Sequence, residues 1–291
     1  MRILITGGTG QVGTHLREEA TKCGWDAVAP GRDELDLMNL QDPKALDLAG
    51  IDGVINAAAF TGVDAAESEE AAARQLNAVA PGILAEACAR AGVPLVHYST
   101  DYVFDGSSKD PYTEESQTSP LGVYGATKLD GEKAVASAGG THAILRLSWV
   151  FSAQGRNFVK TMLRLAAAHG GVRVVDDQYG RPTPAWSAAI AGLQVFEALL
   201  VEPEKAGIYH FSGDKTVTWA EFAKEIFEAA GLKIPVTPIP TSDFPTPASR
   251  PAFSVMDCAK IHEVFGIPMA DWRKELQLVI KELGPVEEWT S

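Results

Sequence analysis

The sequence predicts an α/β protein, a doubly wound parallel sheet joined to a smaller α/β domain. Two periodicities alternate through residues 1–150: short apolar runs that suit buried parallel strands, and longer stretches with helical spacing. A glycine-rich turn separates the first apolar run from the first helical stretch. Beyond residue 150 the alternation loosens, returns at Val172, and gives way to dense prolines after Val201.

Arg2–Thr6 is an apolar run ending in glycines, as expected of a buried strand entering a turn. Val12–Cys23 reads as a helix with Val12, Leu16 and Ala20 on one face. Trp25–Ala29 and Gly53–Ala57 follow as strands, Glu69–Ala91 as an alanine-rich helix interrupted near Pro81, and Val93–Ser99 as a fourth strand. Gly125–Ser137 is helical and Ala143–Leu147 a fifth strand. In the second half, Asn157–His169 and Trp186–Leu200 are helical and flank a strand at Val172–Asp176. Helices are expected again at Trp219–Ala230, Asp257–Phe265 and Asp271–Leu283. Ile234–Pro251 is so proline-rich that a long loop without regular structure is expected there. The returning strand–helix pattern gives an interleaved division, with residues 1–150 and 172–200 in the sheet domain and 151–171 and 201–291 in the smaller one.

Composition narrows the functional classes. The chain has 291 residues, 46% hydrophobic and 22% charged, the balance of an ordinary globular protein. Its net charge of −13 opposes binding to a phosphate backbone, and no basic stripe compensates, so no nucleic-acid partner is expected. No apolar run approaches the roughly 20 residues of a membrane span, so no membrane partner is expected and the cytoplasm is the expected compartment. Cys23, Cys88 and Cys258 are too scattered for a disulfide framework, and the six histidines lack metal-ligand spacing, so no metal is expected. With no long exposed apolar stripe, a monomer or weak homodimer is expected.

The turn Gly7-Gly8-Thr9-Gly10-Gln11-Val12-Gly13 lies between a strand and a helix, the context in which glycines bring the backbone close to a pyrophosphate. The helix start then offers free N–H groups and a positive dipole to the anion. Gly7, Gly10, Gln11, Val12 and Gly13 are therefore candidate dinucleotide contacts in a Rossmann-like domain. At the end of the second strand Arg32 suits a ribose 2′-phosphate, which favours NADPH over NADH without excluding the latter, and Asp36 and Leu37 fall near the adenine. An arginine paired with Asp33 or Glu34 is the bland alternative.

Tyr124 and Lys128 share one helix face a turn apart. A phenol with a pKa of about 10 is a poor acid at neutral pH, and a nearby cation is expected to lower it. Ser99-Thr100-Asp101 ends the fourth strand, where ligands of open parallel sheets bind.

These motifs together resemble the short-chain dehydrogenase/reductase superfamily in its extended, sugar-nucleotide branch, and more narrowly the dTDP-4-dehydrorhamnose reductase family. The narrower likeness rests on Ser99-Thr100-Asp101-Tyr102-Val103-Phe104 and Arg146-Leu147-Ser148-Trp149-Val150. Further matching stretches run from Val54 to Glu67, Val123 to Glu132, Asn157 to Met162, Asp177 to Thr183 and Arg250 to Ser254. The resemblance implies NAD(P)H-dependent reduction of the 4-keto group of dTDP-4-dehydro-β-L-rhamnose, the last step to dTDP-L-rhamnose. Tyr124 would give the proton, Lys128 would bind the nicotinamide ribose, and Thr100 would bind the sugar oxygen. Ala57, Ala58, Ala59 and Thr61 would line the cofactor, and Asp101 and Trp149 the sugar. Asn157 is carried over as a further substrate contact. Arg181 and Arg250, each before a proline, are candidates for anion contact, with a structural ion pair as the equal alternative. Asp64 and Glu67 read better as capping and solvated helix charges. Two rivals remain on the same fold: another sugar-nucleotide epimerase or dehydratase, and a non-catalytic regulatory subunit.

Overall fold

The computed structural model describes residues 1–285. The chain opens with β1 (Arg2–Thr6), α1 (Gln11–Lys22), β2 (Asp26–Val28) and β3 (Gly53–Asn56). It continues through α2 (Val63–Ala66), α3 (Glu70–Arg74), α4 (Ala80–Ala91), β4 (Leu95–Thr100), α5 (Val123–Ser137) and β5 (His142–Leu147). The second half holds β6 (Val150–Phe151), α6 (Phe158–Ala168), β7 (Val172–Val175), β8 (Tyr179–Gly180), β9 (Thr183–Pro184) and α7 (Ala185–Val201). Last come β10 (Gly207–Phe211), β11 (Val217–Thr218), α8 (Trp219–Ala229), β12 (Val236–Ile239), α9 (Ala259–Phe265) and α10 (Trp272–Leu283).

Six parallel strands in the order β10-β5-β4-β3-β1-β2 form the main sheet. Strand order reverses between β1 and β3, which opens a crevice beyond their carboxyl ends. α1 and α7 pack together on one face over Ile3, Ile5, Val96 and Leu145. α4 and α5 cover the other face, over Leu4, Val54, Leu95 and Ile144. The sheet is lined on both faces mainly by apolar residues, as the buried parallel arrangement requires. The expected doubly wound sheet is therefore present. The long helix expected at Glu69–Ala91 is helical throughout but widens into a π-helical turn at Gln75–Val79. Pro81 has no N–H to return to Asn77, which accounts for the break in regular spacing.

A second core lies beside the sheet. Phe151, Val159, Met162, Phe222, Phe227 and Trp272 bring α6, α8 and α10 together with β7. Three expectations change here. Val172–Val175 does not join the main sheet; it pairs in parallel with β12. Gly207–Phe211, assigned from sequence to the smaller domain, is the sixth strand of the main sheet, parallel to β5. A short apolar run does not encode which sheet edge it meets; the length of α7 carries the chain back to β5. The proline-rich segment does contain a strand, Val236–Ile239, with Pro238 opposite Val174. Proline is tolerated because β12 is an edge strand.

Phe196 is fully buried in α7 and packs edgewise toward Trp25, with ring centroids 6.0 Å apart. Phe196→Ala is expected to cost about 3–5 kcal/mol of stability through the cavity left behind. Urea unfolding followed by circular dichroism checks this.

Candidate active site

A cleft of about 1130 Å³ opens over the carboxyl ends of the main-sheet strands. Gly7, Gly10, Gln11 and Val12 form one wall, Arg32, Asp36 and Leu37 a second, and Ala57, Ala58, Ala59 and Thr61 the edge between them. Thr100, Asp101, Tyr124, Lys128 and Trp149 line the other end. Sequence-expected residues spread from Gly7 to Trp149 thus meet in one cavity.

The glycine wall suits a dinucleotide. No side chain caps the start of α1, whose N-cap is Gly10, and its first turn carries no acidic residue. Its N–H groups and dipole therefore face the cleft for an anion. Gly13 does not line the cleft. A Cβ there would overlap the carbonyl oxygen of Gly7, so Gly13 sets how closely α1 approaches the turn. Arg32 is exposed on the cleft wall, whereas Asp36 accepts from Met38 N at 2.9 Å and Asn39 Nδ2 at 2.6 Å.

Tyr124 and Lys128 stand on the first two turns of α5, which begins where Glu67 Oε1 accepts from Val123 N at 2.9 Å. Glu67 is thus a cap, though of a helix 56 residues further along the chain. The Tyr124 ring meets Tyr102 edge to face, with centroids 5.4 Å apart. Thr100 Oγ1 accepts from Tyr102 N at 3.2 Å and donates to Asp101 Oδ1 at 3.1 Å. Burial pushes the Tyr124 phenol up to about 12; a hydrogen bond with Thr100 opposes the shift and the charge of Asp101 adds to it. Sequence reasoning expected Lys128 to lower this pKa. Desolvation instead dominates and raises it, and Lys128 Nζ is bound to Tyr98 O at 2.6 Å. Lys128 is 2% exposed, and burial brings its ammonium down to about 8 although Glu132 opposes the shift. Burial also raises Asp101 to about 6, against hydrogen bonds from Ser254 and Thr100. The result is a neutral phenol able to donate a proton, with the Thr100 hydroxyl at hand and the Lys128 ammonium in the same cleft.

Trp149 takes a left-handed backbone conformation, φ 47°, alone among the described non-glycine residues. Its indole stacks on Trp219 with centroids 3.5 Å apart and planes 8° from parallel. Gly180 makes room, since a Cβ there would enter the indole. Phe158 packs on Trp219, and all three rings line the cleft.

Three expected substrate residues do not line the cleft. Asn157 caps α6, accepting from Lys160 N at 3.2 Å, and donates to Gln11 Oε1 at 2.9 Å. Arg181 donates to Met256 O at 3.0 Å and Thr216 Oγ1 at 3.2 Å. Arg250 pairs with Asp64 at 2.8 Å and also bonds Thr246, the structural ion pair that stood as its alternative. Sequence reasoning in turn missed Arg156 and Trp219, which do line the cleft. Trp219 directly follows the N-cap Thr218, whose capping box with Glu221 is a readable signal. Among the described residues no group of three or more His, Cys, Asp or Glu side chains could hold a metal ion.

A family model described as "RmlD substrate binding domain" matches residues 1–284. The chain is 43% identical to the dTDP-4-dehydrorhamnose reductase of Burkholderia thailandensis, over 97% of this chain and 99% of that protein. It is 39% identical to the reductase of Salmonella typhimurium over 97% and 98% of the two chains. A crystal structure of a dTDP-4-dehydrorhamnose reductase from Clostridium acetobutylicum superposes with a TM-score of 0.91 at 36% identity, covering 97% and 99% of the chains. One from Bacillus anthracis, in complex with NADP, superposes at 0.88 with 34% identity, covering 97% and 99%.

Gly13→Ala is expected to force α1 away from the turn, at an overpacking cost of about 1–3 kcal/mol. Titration with NADPH checks it, with affinity lowered roughly tenfold or more.

Proposed function

The chain belongs to the dTDP-4-dehydrorhamnose reductase family, and from that premise we propose that it reduces the 4-keto group of dTDP-4-dehydro-β-L-rhamnose to give dTDP-β-L-rhamnose. It is an NAD(P)H-dependent sugar-nucleotide reductase of this family, and the proposal concerns the exact sugar, the mechanism and the cofactor preference. The observation that carries it is the presence of Thr100, Tyr124 and Lys128 in one cleft with an uncapped glycine turn. That complete set also favours an active enzyme over a regulatory subunit.

Gly7, Gly10, Gln11 and Val12 would hold the cofactor diphosphate at the start of α1, with Gly13 keeping the helix close. Arg32 would take a 2′-phosphate, so NADPH is the preferred donor and NADH the second. Asp36, Leu37, Ala57, Ala58, Ala59 and Thr61 line the remaining length. When bound, the reduced nicotinamide supplies the hydride for the carbonyl carbon. Tyr124 holds its proton throughout the neutral range and gives it to the sugar oxygen. Thr100 hydrogen-bonds that oxygen and fixes its direction. Lys128 reaches the ribose and lies beside the phenol as negative charge develops on it. Asp101 bonds the sugar while Trp149, stacked on Trp219, presents an apolar face to it. Asn157, Arg181 and Arg250 act at one remove, by holding Gln11, the 213–216 turn and Asp64 in place.

We further propose that the chain divides into interleaved units and works in the cytoplasm as a monomer or weak homodimer. No described helix is long and apolar enough to cross a membrane.

Tyr124→Phe should lower turnover by about 10²- to 10⁴-fold while NADPH binding survives. Lys128→Ala should also reduce turnover, and the double variant should be little worse than the weaker single one. Thr100→Ala should cost less than Tyr124→Phe. NADPH absorbance in the presence of the dTDP-4-keto sugar reads all four, and near-normal turnover in Tyr124→Phe would refute the assignment. Arg32→Ala should lower NADPH affinity about 10- to 100-fold relative to NADH, the loss of a charge-assisted hydrogen bond. Equal binding of NADPH before and after the change would refute the role of Arg32.

A further inference from the structure

Behind the cleft, a buried polar cluster crosses from the outer strand of the main sheet to α5. Glu132 lies one helical turn beyond Lys128 and on the same face, and both side chains are 2% exposed. Glu132 Oε1 accepts from Ser99 Oγ at 2.5 Å and from Arg146 Nε at 2.9 Å, and Oε2 accepts from Arg146 Nη2 at 2.7 Å. The guanidinium lies over the Phe104 ring, 5.2 Å from its centroid. Arg146 Nη1 in turn meets His210 Nε2 at 3.3 Å. His210 Nδ1 faces the carbonyl oxygens of Tyr112 and Asp257 at 3.1 and 3.2 Å, so Nδ1 is the donor and Nε2 the acceptor. The imidazole is thus neutral and adds no cation.

The charged groups that remain in the cluster are Arg146 and Glu132, with Lys128 one turn away on α5 and Asp101 in the same cleft. From β4, the Tyr98 carbonyl accepts from Lys128 Nζ and His97 feels the ammonium; from α5, Glu132 acts on it; Tyr124 and, from the turn after β4, Asp101 line the same cleft. Burial holds His97 neutral, well below its usual range. Glu132 is therefore the only carboxylate on α5 that faces the ammonium, and two strands brace it through Ser99 and Arg146. Solvent screening is small for such a buried arrangement.

We infer that Glu132 is a positioning residue for the proposed reduction: braced by Arg146 and Ser99, its carboxylate keeps Lys128 protonated where the Tyr124 phenol loses its proton. The inference rests on that reaction and adds a residue to it. Without Glu132, no carboxylate on α5 offsets the burial of the ammonium, and its pKa falls below 8. The active state would then be lost at lower pH.

A purely structural ion pair predicts something different. Breaking such a pair on one side destabilises the fold, whereas replacing both partners by neutral groups is often harmless. Glu132→Gln combined with Arg146→Met removes both partners together, so that neither is left as an unpaired charge and only the effect on Lys128 is exposed. The experiment measures turnover against pH, with NADPH and the dTDP-4-keto sugar, in the wild type, this double variant and Glu132→Asp. The wild type is expected to lose turnover above pH 8. The double variant is expected to fold, bind NADPH and show the same alkaline loss about one pH unit lower. Glu132→Asp keeps the charge and should stay near the wild-type limb. An unmoved limb in the double variant overturns the inference and leaves Glu132 a structural partner. So does a wild type with no alkaline loss between pH 7 and 10, or a double variant that loses turnover equally at every pH. Absence of wild-type turnover on this sugar would instead refute the proposed reaction.

Discussion

A lysine ammonium buried under the floor of the cleft is the most demanding feature of this fold. Lys128 is 2% exposed, and taking its charge out of water is expensive unless the surroundings answer it. The answer comes from main chain and side chain together. Tyr98 offers its carbonyl at the carboxyl end of β4, and Glu132 offers a carboxylate one turn along α5. To hold Glu132, β5 must supply Arg146 and β4 must supply Ser99. The pairing of β4 with β5 and the seating of α5 on both strands thus serve one charge. Its neighbours in the cleft, Thr100, Asp101 and Tyr124, are placed by the same three elements.

A chain of net charge −13 that accepts anionic ligands must also solve a long-range problem. It does so locally. Arg32, Lys128 and Arg156 all line the cleft, and the uncapped start of α1 adds the partial charge of free N–H groups. Elsewhere arginines are spent internally, as in the Arg250–Asp64 and Arg74–Asp130 pairs.

What was legible in the sequence is what depends on spacing along the chain. The glycine turn, the Tyr124–Lys128 pair and the alternation of strand with helix each need only a few consecutive residues, and the structure contains all three. The partner of a strand is a different kind of fact. Nothing in the run Val172–Val175 distinguishes the edge of β12 from the edge of β5. The direction in which an arginine points is equally nonlocal: Arg181 precedes a proline as Arg250 does, yet each bonds a different element remote in sequence. Trp219 enters the cleft because α6 and α8 share the second core, a contact formed only by the tertiary fold. The pKa of Tyr124 was misjudged for a related reason. Spacing locates a cation but says nothing about how much water a phenol loses.

The left-handed backbone at Trp149 constrains how this end of the cleft can evolve. Glycine or asparagine at this position would relax the backbone but remove the ring that stacks on Trp219. A β-branched residue would find the conformation forbidden and the slot above Gly180 unfilled. Either change gives up one contribution to obtain the other, so position 149 offers few viable steps. Phe158 and Trp219 sit at the first turns of regular helices, free of that conflict. A lineage, or a mutant library, that reshapes this end of the cleft has its accessible routes at those two positions, with Trp149 as the fixed wall against which they vary.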